Sequence, residues 1–155
     1  MENNKFHEFF DCTELAFQQV SETLLGIVFS RCDEVQEMDD RTFCVIIGMV
    51  GKNKGRVRLE AGANTVRMIT ENMNGEPCNN IMDMYMCLSE FANMICGNAV
   101  TVINNKYKGN GLRLTPPAVF SGSGMQITTP RVTSTTCYYH GEYGPMLLDI
   151  GFEGA

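Results

Sequence analysis

Ser89-Glu90-Phe91-Ala92-Asn93-Met94-Ile95-Cys96-Gly97-Asn98-Ala99 lies inside the longest helical pattern of the chain. Apolar residues recur at Ile81, Tyr85, Leu88, Ala92, Ile95, Ala99 and Val102. This alternating four–three spacing marks one face of a helix. At about 100° per residue, Met86, Glu90, Asn93 and Gly97 form a second stripe on roughly the opposite side. Glu90 and Asn93 therefore project together, one turn apart, from the face that does not pack on the core. An interior helical Gly costs about 1 kcal/mol against Ala, so Gly97 points to a surface that has to stay open. The stretch presents an acid and an amide outward on a rigid rod.

Working outward from that helix, Asn79 or Asn80 is placed to cap it, and Asp83 in its first turn suits the helix dipole. Its expected end is near Asn104-Asn105. A first helix is predicted over about Phe6 to Phe29, with Phe10, Phe17, Val20, Leu24 and Ile27 on one face. A polar, acidic connection from Arg31 to Asp40 follows. The β-branched run Thr42–Val50, the turn Gly51–Gly55 and the alternating Arg56–Glu60 read as a hairpin. Ala63, Val66, Ile69 and Met73 give a short amphipathic helix, ended by Asn74-Gly75 and Pro77. After the central helix come Leu112–Leu114, a sheet edge or a break at Pro116-Pro117 and a loop at Ser121–Gly124. Strands at about Val132–Tyr139 and Met146–Phe152 flank Gly141–Gly144 as a second hairpin. Each half of the chain thus pairs one long helix with a hairpin, a degenerate internal repeat.

A chain of 155 residues, with 44% hydrophobic and 19% charged residues, suits one globular domain over 1–155 rather than a disordered segment. It has no signal-peptide pattern and no uninterrupted apolar run near the length of a membrane span. A cytoplasmic location without membrane association is expected. The seven Cys form no C-x-x-C pair and are odd in number, so reduced thiols packed as small hydrophobes are expected. Cys137 and His140 lack the clustered spacing of a metal site, and no metal ligands are assigned. Residues 1–40 carry ten acids and two bases, within a net charge of −6, which argues against a nucleic-acid binder. Lys52, Lys54, Arg56, Arg58 and Arg67 are expected to form a solvated basic face, the alternative being a docking surface for an acidic partner.

The wording around the central helix resembles the CheC/CheX/FliY family of chemotaxis phosphatases, and most closely its CheX branch. The family pattern is Asp or Ser, three residues, Glu, two residues, Asn, then twenty-two residues to a Pro. Glu90, Asn93 and Pro116 fit that spacing; Met86 stands where Asp or Ser is the rule. The segments SEFANMICGNA and LTPPAVFSG also resemble the family, and the order of elements matches over nearly the whole chain. The resemblance implies an α/β fold with two long helices and a short helix packed on an antiparallel-rich sheet.

It also implies a substrate: the aspartyl phosphate of a CheY-like response regulator, bound with a Mg²⁺ that belongs to the regulator and not to this chain. Asn93 would hold the attacking water, since a carboxamide both donates and accepts without changing protonation state. Glu90 would pair with the regulator's active-site lysine. Gly97 and Met86 would lie against the bound regulator, where Met86 cannot supply the hydrogen bond of an Asp or Ser. CheX-like proteins pair through sheet strands, so a homodimer is expected. Aligning Gly26 with Gly97 places Gln19 and Glu22 at the positions of Glu90 and Asn93 in reversed order, so no second motif is expected on the first helix. Two other readings compete: a catalytically silent docking module for a response regulator or flagellar-switch protein, and a small-molecule sensor, for which no polar pocket pattern is visible.

Overall fold

The long central helix, Ile81–Lys106, begins where Asn80 Oδ1 accepts from the backbone N–H of Met82 at 2.8 Å. Asp83 in its first turn and Lys106 in its last complement the helix dipole. This is α3 of a computed structural model that describes residues 2–34, 41–128 and 132–153. In chain order the elements are α1 (Glu2–Leu25), β1 (Ser30–Cys32), β2 (Thr42–Val50), β3 (Gly55–Gly62), α2 (Ala63–Asn74), α3, β4 (Arg113–Leu114), β5 (Ala118–Gly122), β6 (Val132–Gly141) and β7 (Gly144–Glu153).

The strands form one antiparallel sheet in the order β1-β6-β7-β3-β2-β4, with β5 also pairing β2. Alternation along each strand sends one set of side chains toward the helices. That set includes Phe43, Val45, Ile47 and Met49 of β2, Val57 and Leu59 of β3, Tyr139 of β6, and Met146, Leu148 and Ile150 of β7. All are buried and join Phe9, Phe17, Leu88, Phe91 and Ile95 of the helices in one core. The expected architecture, two long helices and a short one on an antiparallel-rich sheet, is the one found. Exchanging β1, β2 and β3 for β5, β6 and β7 reproduces the strand pairs on each side of β3–β7. This is a symmetry of pairing. The helices differ, since Gly26 ends α1 at φ 65° whereas Gly97 lies inside α3.

Three sequence expectations need correction. The apolar stripe of α3 does not keep a strict heptad phase: Ile81 and Val102 are 40% and 51% exposed. A seven-residue repeat drifts by about 20° per heptad on a straight helix, so both ends of the stripe rotate off the core. Met84, Phe91 and Ile103 are buried as well. Second, β1 overlaps the start of the stretch read as a polar connection, and β5 runs from the sheet edge or break read at Pro116-Pro117 into the stretch read as a loop; residues 35–40 of that connection are outside the described residues. Such short strands carry too few residues for a period to show.

Third, the solvated basic face does not hold for Arg56 and Arg58. On the sheet face away from the helices, Arg56 pairs with Asp149 at 2.6 Å, and Arg58 pairs with Asp149 at 3.5 Å and with Glu60. Thr136 Oγ1 donates to Asp149 at 2.5 Å. All four charged residues are buried, while Lys52, Lys54 and Arg67 are exposed. Arg56 and Asp149 are 93 positions apart, beyond the reach of local charge counting.

α3 is long and apolar enough to cross a bilayer by length and composition alone. Half of its apolar window is buried in the fold, against α1, α2 and the sheet, as suits the core helix of a folded domain.

Candidate functional site

Phe91 and Ala92 are buried, as are Ile95 and Cys96, and together they fix the rotation of α3 about its axis. Glu90 is then exposed and Asn93 half-buried, on one outer stripe. Among the described residues, neither side chain has a hydrogen-bond or ion-pair partner. Gly97 is next on the stripe, and a Cβ built there would meet nothing within 4 Å. Thr101 Oγ1 donates to the Gly97 carbonyl at 2.9 Å, one turn further on. The three residues singled out at the heart of the sequence are thus brought together on open surface.

An apolar rim surrounds them. Met86 is 67% exposed on the same stripe, Met82 57% one turn before it, and Met94 37% beside Asn93. Sequence reading identified Met86 but missed Met82 and Met94. The i, i+4 spacing of Met82, Met86 and Glu90 was the available signal, masked by the habit of assigning methionine to cores. Exposed methionine offers a flexible, polarisable contact surface.

The helix is braced from the side. Tyr85 Oη and Ser121 Oγ lie 2.6 Å apart, Arg41 Nε donates to Ser121 Oγ at 3.0 Å, and the Tyr85 and Phe43 rings sit 5.6 Å apart. These contacts tie the first half of α3 to β2 and β5. Pro116 is exposed in the link between β4 and β5. Just before it, the Thr115 backbone N–H donates to the Gly48 carbonyl at 2.8 Å, and the Gly48 N–H donates to Thr115 Oγ1 at 2.8 Å. A Cβ at Gly48 would stand 2.8 Å from that hydroxyl, so the close approach requires glycine. Pro116 belongs to this strand link, a structural position.

Gln19 and Glu22 are both exposed on α1. Cys137 is buried on the core side of β6 and His140 is exposed on its other side, which separates them as ligands. No group of three His, Cys, Asp or Glu side chains is arranged for a metal among the described residues. All seven Cys are free thiols. Burial pushes Cys44 and Cys96 up to about 12, with the Glu60 charge adding to the shift at Cys44, so both stay protonated at neutral pH. They are packing residues rather than nucleophiles.

The fold is shared with several solved proteins. A CheC-like superfamily protein from Shewanella aligns at 22% identity and a TM-score of 0.82, covering 95% of this chain and 98% of that one. A chemotaxis protein CheX from Desulfovibrio desulfuricans aligns at 18% identity and a TM-score of 0.80, covering 94% and 99%. CheX from Borrelia burgdorferi, solved as a CheX–CheY–BeF₃–Mg²⁺ complex, aligns at 19% and 0.78, covering 94% and 97%. At such identities the likeness is one of fold. A search of curated proteins returned no match. Residues 43–140 match the family model described as chemotaxis phosphatase CheX, well over half of the sequence, and the chain belongs to that family.

Proposed function

We propose that this chain hydrolyses the aspartyl phosphate of a CheY-like response regulator in the cytoplasm, ending a chemotaxis or related two-component signal. The observation that carries the reading is the outer face of α3, where Glu90 and Asn93 stand without intramolecular partners beside an uncovered Gly97. Family membership and the complex formed by the Borrelia burgdorferi relative support the choice of partner.

An acyl phosphate is already activated, so hydrolysis calls for positioning more than for covalent help. The Asn93 carboxamide holds a water in line with phosphorus; the water oxygen bonds to phosphorus as the bond to the aspartyl oxygen breaks. Inorganic phosphate leaves and the regulator's carboxylate is restored. Glu90 pairs with the regulator's lysine and seats the helix in its pocket. A Mg²⁺ held by the regulator, not by this chain, would offset charge on the phosphoryl oxygens. Gly97 lets the partner approach the helix backbone, and Met86 adds apolar contact.

Met86 also favours a second reading. An exposed thioether where the family pattern has Asp or Ser cannot donate a hydrogen bond, as suits a silent docking module. In either case we propose a homodimer through sheet edges. Among the described residues, β1 covers β6 over Tyr138–His140, and Ser134, Thr135 and Thr136 further along that strand are exposed.

The test is to add the purified chain to acyl-phosphorylated response regulators of its own cell and follow loss of phosphate. Accelerated loss for at least one regulator is expected. Binding without acceleration would establish the docking module instead. Glu90→Ala should raise the half-saturating regulator concentration about tenfold or more, the scale of one lost charge-assisted hydrogen bond.

A further inference from the structure

At the far end of α3, the fold leaves a cavity of about 260 Å³ between the start of α1, the β2–β3 turn and the loop after α3. The hollow is open on one side, so its apolar walls are left facing solvent in the free chain. One wall is an aromatic cluster, with the Phe6 and Phe9 rings 4.9 Å and 4.8 Å from that of Phe152. Ile103 and Leu112 close the floor, and both are buried.

The rim is polar and held in place. Lys52, Asn53 and Asn110 line it, and none of their side chains has a partner among the described residues. The backbone N–H of Lys52 donates to the Asn110 carbonyl at 3.4 Å. Asn104 pins the same loop through two hydrogen bonds of 2.9 Å to the backbone of Leu112. Gly51 permits this contact: a Cβ there would lie 3.0–3.2 Å from the backbone of Asn110, Gly111 and Leu112. Glu8, on α1 between Phe6 and Phe9, is engaged by Lys106 and by the Tyr107 hydroxyl. An uncommitted ammonium and two uncommitted carboxamides thus line the rim of an apolar hollow.

We propose that this cavity binds a small amphipathic carboxylate, its apolar body against the three phenylalanines and its head on Lys52 with Asn53 and Asn110. Ile103 lies ten residues beyond Asn93, about 15 Å along the helix, so the cavity is distinct from the outer-face site. The proposal does not depend on phosphatase activity. It restores a small-molecule role for which the sequence offered no pattern.

The test is a titration of the full ¹⁵N-labelled chain with 3-phenylpropanoate, in parallel with 3-phenylpropan-1-ol and 3-phenylpropylamine. Saturable amide shifts should centre on Lys52, Asn53, Ile103 and Asn110. The expected dissociation constant is about 1 mM or tighter, the scale for so small a ligand. The alcohol and the amine should each bind at least about fivefold more weakly, as the loss of a charge-assisted hydrogen bond requires. Lys52→Met, at an exposed position, should bring carboxylate affinity down to that of the alcohol measured on the same variant. Shifts that fail to saturate, shifts centred elsewhere, an alcohol or amine that matches the carboxylate, or a Lys52→Met protein that binds the carboxylate like wild type would each overturn the proposal.

Discussion

Gly97 has no side chain, and nothing stands within 4 Å of where one would begin. Two substitutions separate its conformational cost from its proposed role in docking. Gly97→Ala should stabilise the chain by about 0.5–1 kcal/mol, because an interior helical Gly is penalised by that much. Gly97→Phe should also fold, yet weaken binding of the regulator at least about tenfold, since its ring would occupy the partner's approach. Urea unfolding reads the first effect and a regulator titration the second. Undiminished affinity in Gly97→Phe would show that no partner comes close there. Glu90, Asn93 and Gly97 were legible because helical phase alone puts them on one stripe. Met82 and Met94 were not, because period cannot distinguish an apolar residue of the core from one of a contact surface.

Among elements, the pair β3 and β7 carries a device that local sequence does not reveal. Burial alone would raise the carboxyl of Asp149, but hydrogen bonds from Thr136 and Arg56 and the charges of Arg56 and Arg58 outweigh it and hold it below its ordinary 3.8. A carboxyl lowered in the folded state contributes stability that is fully present above 3.8 and is lost as pH falls through the lower folded value. Glu60 runs the other way: burial raises it above 4.5 despite Arg58, so its charged form opposes folding at neutral pH. Asp149→Asn should therefore be less stable than wild type by about 3–5 kcal/mol near neutral pH, the range for breaking a buried pair. That gap should narrow once the pH drops below 3.8. Denaturant unfolding of both proteins at the two pH values checks this, and a gap independent of pH would contradict it. On α1, replacing Gln19 and Glu22 together by Ala should leave regulator dephosphorylation within about twofold of wild type, as exposed helix positions tolerate Ala. A large loss would reveal a second active helix. The long helices and hairpins were readable from period, whereas β1 and β5 are defined by partners far away in sequence.

For the whole molecule, one sheet backs α3 so that its outer stripe stays clear, and the family and the fold are those that the sequence resemblance implies. The cavity beyond Ile103 could not be read from sequence, because its walls come from four separate segments between Phe6 and Phe152. A dimer formed through sheet edges would leave α3 of both copies free. Light scattering at tens of micromolar, about the range for weak self-association, should show twice the monomer mass, and monomer alone would count against it. The proposed mechanism rests on Asn93 positioning the attacking water. The most direct measurement is single-turnover loss of phosphate from the regulator, at saturating regulator, with wild type and with Asn93→Ala. The expected rate constant is at least about a hundredfold lower for the variant, with regulator affinity little changed. A variant that turns over at the wild-type rate would contradict it.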